Sequence, residues 1–275
     1  MLKDVIAFLR AAPALRRSWR IYHSNPDHDR VMDALYARFV PRGGLVFDVG
    51  AHVGHRTAGF LRLGARVVAV EPQRPVVWLL RAVYGWRAGV RIVEAACGAR
   101  EGAITLNVNA ANPIVSTASA DFIAAAKDAA GWEGQEWRAQ ARVPLTTLDA
   151  LIERHGAPDF IKIDVEGFEA EALAGLTRPP PALSFEFTTI QRDVALACVE
   201  RCVSLGLLRF TAAIGETHAL AFDEPVDASR IARWLSDLPA EANSGDVYAM
   251  DDAGVARFMD CATSAGLTAG PPSRP

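Results

Sequence analysis

Several protein classes are excluded by what this chain lacks. Only four of its 275 residues are cysteines, Cys97, Cys198, Cys202 and Cys261, and no two form a CxxC pair. That argues against a disulfide-stapled scaffold and against a zinc ribbon. Cys198 and Cys202, four residues apart in a helical stretch, share one face and read as core thiols, because two ligands alone do not make a metal site. No apolar run is long enough for a spanning helix, which needs about 18 residues or more. The N-terminus has no uninterrupted apolar stretch of the signal-peptide kind, since Lys3, Asp4 and Arg10 break it. A cytoplasmic enzyme fits these absences. There is also no excess of one charge: 29 basic residues stand against 32 acidic ones, a net charge of -3. Nothing in that balance draws the chain to nucleic acid, and no nucleic-acid partner is expected. No repeat of fixed period is visible, so a solenoid is excluded.

What is present is an ordinary globular composition, with 51% hydrophobic and 22% charged residues, in a chain long enough to bury one sizeable core. The first 24 residues carry Lys3, Arg10, Arg16, Arg17 and Arg20 against Asp4, with Leu2, Val5, Ile6 and Leu9 on one helical face. Such a helix suits peripheral contact with a membrane surface, or packing on its own domain or on the second subunit of a homodimer. A second helix is expected over residues 28–39, with Val31, Leu35 and Phe39 in register, stopped by Pro41, Gly43 and Gly44. The expected layout is a helical extension over 1–40, a main domain over 41–250, and a C-terminal helix with a disordered tail over 251–275, where 266–275 is rich in Gly and Pro.

Within the main domain the pattern alternates. Apolar runs at 45–50, 66–72 and 90–96 read as buried strands, separated by helical stretches at 54–63 and up to Tyr84. Strand–helix–strand order of this kind predicts an α/β fold with a mostly parallel sheet and helices on both faces. Further strands are expected at 103–109, at the start of 141–156, at 159–167, 181–188, 206–214 and 245–250. Thr147 is placed to cap the helix inside 141–156, and residues 191–205 read as a helix with Val194, Cys198 and Cys202 on one side. Residues 117–140 read as a helix and loop laid over the sheet edge.

Three segments carry chemistry. VFDVGAHVGHRT (46–57) is a glycine turn between a first strand and a first helix, where backbone can approach a ligand closely. Its spacing is Asp48, Gly50, Gly54, and His52 stands where a dinucleotide fold has its second glycine. A pyrophosphate would be crowded there, and Asp48 would repel it; a ligand with an ammonium group and no phosphate, such as S-adenosylmethionine, fits better. Glu71, 21 residues after Gly50, ends the second strand, the position from which a carboxylate accepts from both ribose hydroxyls. A plainer reading makes it a charge at a helix start beside Pro72. KIDVEG (162–167) puts Asp164 and Glu166 at the end of a parallel strand, with Lys162 on the face of Asp164. Paired carboxylates there can orient an acceptor, hold a cation or act as a base; as a strand end they can also simply pair with Lys162. Glu186, between Phe185 and Phe187, adds a carboxylate to the same sheet edge.

VFDVGAHVG, VVAVEP, PLTTLD, DFIKIDVEGFEAEALAG and SFEF, in this order, resemble the FkbM-type methyltransferases over roughly residues 30–215. The resemblance implies a Rossmann-like, class I methyltransferase fold of seven strands with the last antiparallel. It implies S-adenosylmethionine at Asp48, Gly50 and Glu71, with Ala96 and Cys97 where such folds contact the adenine. It also implies transfer to an oxygen of a sugar, glycan or secondary metabolite. Together with the turn, the expected cofactor residues are Asp48, Gly50, Gly54, Glu71, Ala96 and Cys97, and the expected catalytic ones Asp164 and Glu166, with His52 a further candidate. A divalent metal is left open. The chain departs from the family in having His52 where Asn is common and His55 where an aromatic is common. His218, in GETHAL (215–220), is a second candidate base, and Trp132, Trp137 and Trp234 are candidate walls for an acceptor. Two rival readings, a nicotinamide-dependent oxidoreductase and a non-catalytic binding module of the same fold, are opposed by the missing GxGxxG and by the intact Asp48, Glu71 and Asp164 respectively.

Overall fold

Asn25 ends one helix and starts the next: its side chain accepts from the backbone N–H groups of Asp27 and His28, and Pro26 occupies the first turn, where its missing N–H costs nothing. The computed structural model, which describes residues 2–264, accordingly begins with α1 (Leu2–His23) and α2 (Pro26–Ala37). The buried face of α2 is Met32, Leu35 and Tyr36, continued by Phe39, while the expected core residue Val31 is 49% exposed. Aromatic bulk decides the phase: Tyr36 meets Phe160 edge-on and Phe39 stacks on Phe160 and Tyr248 of the sheet, which turns Val31 outward. The side chains of Leu2, Val5 and Ile6 and the tail at 266–275 lie outside the described residues.

The chain continues β1 (Leu45–Val49), α3 (His55–Arg62), β2 (Arg66–Val70), α4 (Arg74–Tyr84) and β3 (Val90–Val93). Next come β4 (Ala96–Cys97), β5 (Gly102–Val108), α5 (Ala120–Ala126), β6 (Ala139–Thr146) and α6 (Leu148–His155), which Thr147 caps through Ala150. Then follow β7 (Phe160–Ile163), α7 (Glu169–Ala174), β8 (Ala182–Thr188), α8 (Arg192–Ser204), β9 (Arg209–Ile214), α9 (Ala228–Asp237), β10 (Ser244–Met250) and α10 (Asp252–Ser264). No sequence pattern noted above marks α9.

Seven strands make the main sheet in the order β3-β2-β1-β7-β8-β10-β9. β1 pairs in parallel with β2 and β7, and β7 with β8, whereas β10 runs antiparallel to both neighbours. This is the seven-stranded, Rossmann-like architecture expected from the resemblance, with the last strand reversed. The order reverses between β1 and β7, and in open α/β sheets such a switch point opens a crevice at the strands' C-terminal ends. The central strands β1 and β7 are buried along their whole length and mostly apolar, as suits strands covered on both faces, with Asp48 and Lys162 the exceptions. One core layer gathers Phe47, Ile161, Leu183 and Phe185 with α6 to α9, and the other gathers Phe39, Phe60, Phe160 and Tyr248. Cys198 and Cys202 are fully buried free thiols in the first layer.

A second sheet, β4-β6-β5, stands apart from the first. The expected strand at 90–96 is thus divided: β3 stays in the main sheet, and Ala96–Cys97 turns away to pair with Leu145 and Thr146. α1 packs against α4 through Leu15, Val76 and Leu79 and reaches Val53 in the first turn. Among the described residues no helix is long and apolar enough to cross a membrane.

Candidate active site

Two turns at the switch point touch through backbone. Gly50 has φ +87° and a Cβ there would collide with the carbonyl oxygen of Asp164, so the turn after β1 admits only glycine. The turns are also tied by hydrogen bonds: Gly50 and Ala51 donate to the Val70 carbonyl, and Asp164 N–H to the Val49 carbonyl. Above them lies a cavity of about 320 Å³ whose walls come from the ends of β1, β2, β7 and β8, from β4 and from α1.

Glu71 is buried at 3% exposure on the wall of this cavity. It accepts from the backbone N–H groups of His52 (3.0 Å) and Gln73 (2.8 Å). The second bond is the plainer role, a charge at the start of α4. Two bonds leave half of the carboxylate's roughly four acceptor positions for hydroxyls. Burial raises Glu71 to about 7, against the two backbone bonds. Gly50, Ala96 and Cys97 line the same space. Asp48 and Gly54 do not. Asp48 lies beneath the turn, 1% exposed, its carboxylate 2.5 Å from the Thr57 hydroxyl and raised by burial to about 6. Gly54, at φ +80°, starts α3 and packs against Leu80 and Tyr84. Both residues shape the turn from outside the cavity.

Past Gly50 the chain takes a second left-handed step at His52, φ +44°. Asn and His are among the few side chains that adopt this region readily, so the departure from Asn conserves the turn's geometry. The His52 ring lines the cavity, its Nε2 has no hydrogen-bond partner, and burial lowers it to about 4, leaving it neutral.

The carboxylates gather over β7 and β8. Asp164, Glu166 and Glu186 all line the cavity, each with an oxygen within 4.8 Å of the others. Glu166 sits at φ +55°, a strained position for a non-glycine residue, and among the described residues no hydrogen bond reaches its side chain although it is only 8% exposed. Burial first, and Asp164 next, push both Glu166 and Glu186 well above the usual carboxylate range. Glu169 does not join them; its carboxylate accepts from Val165 and Gly167 and so holds the turn from below. Lys162, fully buried, lies 3.2 Å from Asp164 and 2.7 Å from Asp246. Asp164 therefore both faces the cavity and pairs with Lys162. An all-oxygen trio of this kind is also the donor set that hard cations such as Mg²⁺ take.

Several wall residues carry no motif. Tyr22 brings α1 to the cavity, although the sequence marks no cofactor or acceptor contact before residue 45. Arg56 lines it too, its side chain 12% exposed, and donates to both oxygens of Glu216 at 2.8 Å. Arg56 outweighs burial at Glu216 and lowers it to about 2. Of the three tryptophans, Trp132 lines the cavity, whereas Trp137 donates to the Val115 carbonyl and Trp234 packs edge-on to Phe187 and Phe222. His218 is buried beside Glu216, off the cavity wall, and burial with Arg56 lowers it to about 3. Its position leaves the carboxylates as the groups that face an acceptor.

The sign of the walls selects the ligand. Five carboxylates, on Glu71, Asp164, Glu166, Glu186 and Glu216, face one cation, Arg56, which is already paired. A pyrophosphate would meet repulsion and a sulfonium or ammonium attraction, so the residues present fit S-adenosylmethionine and not a dinucleotide.

A family model described as "Methyltransferase FkbM domain" matches residues 48–237 of this chain. Among curated proteins, the ribosomal RNA small subunit methyltransferase A of Anaeromyxobacter dehalogenans (strain 2CP-C) is 40% identical over 82 residues, covering 27% of this chain and 29% of that protein. Its counterpart from Anaeromyxobacter sp. (strain K) is 41% identical over 69 residues, 25% and 24% of the two chains. The chain thus spans less than a third of the length of these relatives. Similar solved structures include an O-methyltransferase from Bacillus cereus in complex with SAH, with TM-score 0.43 and 12% identity over 87% of this chain and 91% of that one. A TehB-like SAM-dependent methyltransferase from Corynebacterium glutamicum has TM-score 0.41 and 13% identity over 83% and 100%.

Proposed function

This chain belongs to the FkbM methyltransferase family, and from that premise we propose that it is an S-adenosylmethionine-dependent methyltransferase whose acceptor atom is a hydroxyl oxygen on a sugar, glycan or secondary metabolite. One observation carries the reading: the Asp164–Glu166–Glu186 cluster opens into the same cavity as Glu71. An alcohol needs its proton removed as it reacts, whereas many amines do not. A carboxylate with a raised pKa is the stronger base once ionised.

When bound, S-adenosylmethionine supplies a methyl carbon activated by a positively charged sulfur. Gly50 lets the turn approach the cofactor, and Glu71 takes the ribose hydroxyls. Glu166, the unpartnered carboxylate, takes the acceptor's hydroxyl proton on an oxygen atom. Burial keeps Glu166 basic, and the neighbouring Asp164, itself held by Lys162, adds to this through repulsion. Positive charge entering the cavity favours the ionised cluster. Trp132 and Tyr22 close the apolar walls and exclude water.

The test is an acceptor screen with isotope-labelled methyl donor, followed by NMR of any methylated product. A methoxy signal supports the assignment; a methyl on nitrogen or carbon overturns it. The same trio admits a divalent cation as a second reading. Turnover kept after exhaustive chelation assigns the carboxylates to the proton alone, and turnover lost and restored by Mg²⁺ assigns them to the ion.

A further inference from the structure

The chain has six histidines, and five of them lie around one corner of the molecule. The His28 ring is 5.4 Å from that of His55 and 4.8 Å from that of His218, and His23 is 5.6 Å from His55; His52 joins through Tyr22 at 6.2 Å. Three have ordinary partners: His23 Nε2 lies 3.2 Å from the Val53 carbonyl, His55 Nε2 3.1 Å from Asp29 and His28 Nε2 3.0 Å from the Glu216 carbonyl. Among the described residues His218 has none. Its side chain is 1% exposed, its Nε2 is without a hydrogen bond, and its backbone is strained at φ +53°.

His218 Nε2 stands 3.5 Å from Glu216 Oε2, and His28 Nε2 stands 3.6 Å from the same oxygen. Both distances are long for hydrogen bonds. They are close to the edge of a tetrahedron, about 3.3 Å, whose centre lies about 2.05 Å from each corner, the geometry of zinc with imidazole and carboxylate ligands. All three donor atoms fall within 4.8 Å of one another.

We propose that His28, Glu216 and His218 form a transition-metal site of the zinc class, clasping α2 to the turn after β9 beside the cavity that Glu216 lines. Two imidazoles and a carboxylate are borderline ligands that suit zinc better than magnesium, and three protein ligands leave a fourth position for water. The ion takes Glu216 Oε2, leaving Oε1 to Arg56, which at present holds both oxygens. His28 gives up its 3.0 Å contact with the Glu216 carbonyl and carries its proton on Nδ1. Asp29, bonded to His55, stays outside the ligand set.

The experiment uses the full chain, stripped with chelator and titrated with zinc chloride by calorimetry, with thermal melts alongside. The variants are His28→Gln, His218→Gln, Glu166→Gln, and His155→Gln as a remote control. The proposal expects one zinc per chain and a raised melting temperature in the parent, in His155→Gln and in Glu166→Gln. In His28→Gln and His218→Gln the Kd should rise at least about 100-fold. His28 is the more exposed ligand, at 24%, so His28→Gln decides the matter if His218→Gln does not fold. No zinc binding, or equal binding in His28→Gln, overturns the site. Binding lost in Glu166→Gln and kept in His28→Gln overturns it as well, by placing the ion on the carboxylates.

Discussion

Over β1 and β2, the wall of the cavity is built from one short stretch of chain, and its carboxylate has partners: Glu71 accepts from His52 and Gln73, both within 19 residues of it. Over β7 and β8 the wall is collected from Tyr22, Arg56, Trp132, Glu166, Glu186 and Glu216, and among the described residues the buried Glu186 Oε2 has no hydrogen-bond partner. A settled half and an unsettled half meet at Gly50 and Asp164. On the proposed function the difference separates two tasks: a ligand common to a family is held by local, satisfied geometry, and reactivity is kept where buried charge lacks compensation.

The comparison breaks hardest at Glu166. Glu166→Gln is expected to lower turnover by about 10²–10⁴-fold, the range for losing a general base, in steady-state kinetics with a methylated acceptor as product. Turnover within threefold of the parent would move the proton to His52, whose Nε2 is likewise unpartnered. Stability is most exposed at Lys162. Lys162→Met leaves the buried Asp246, and Asp164 at the cavity beside it, without their cation, and denaturant unfolding should show a loss of about 3–5 kcal/mol; a loss under about 1 kcal/mol would show that the two aspartates do not depend on it.

The settled half gives smaller effects. Glu71→Ala should weaken cofactor binding by about 1–3 kcal/mol, as for hydrogen bonds to a charged acceptor. Burial raises Glu71 to about 7, so it is ionised above that pH and increasingly protonated below it. The carboxylate is the form that accepts from two hydroxyls, so cofactor affinity should fall about tenfold from pH 8 to pH 6. Glu71→Gln should flatten that profile; a profile that stays steep in this variant assigns the titration to another group. Folding stability moves the other way, because a raised carboxylate favours the folded state below its unfolded pKa of about 4.5 and loses that contribution as pH rises through about 7. The smallest effect is at Tyr22, where Tyr22→Ala should cost less than tenfold in cofactor affinity, under about 1.4 kcal/mol. A larger loss would make α1 part of the cofactor site.

Both halves were legible where strands end. Gly50, Glu71 and Asp164 each follow directly on a strand, with Glu166 two residues further on, and strand ends are visible because an apolar run stops at a polar residue or glycine. Asp48 was visible for the same reason, and a strand's alternation puts it beneath the turn against Thr57, off the cavity wall. Val31 shows the limit for helices: its spacing to Leu35 is helical, yet the larger Tyr36 and Phe39 claim the core. The second sheet left little trace, because β4 is two residues long and its partner lies some 50 residues away. Tyr22 and Glu216 carry no local signal at all; only packing of α1 on α4 and the bond from Arg56 bring them to the cavity.

Calorimetric titration of S-adenosylmethionine into Glu71→Ala, Glu166→Gln and the double variant tests most directly whether the two halves are separate. The account predicts weaker binding in Glu71→Ala, an affinity within threefold of the parent in Glu166→Gln, and a double variant equal to the sum within about 0.5 kcal/mol, as for uncoupled sites. Glu166→Gln binding as weakly as Glu71→Ala, or a coupling above about 1 kcal/mol, would place the carboxylates in the cofactor site and contradict it.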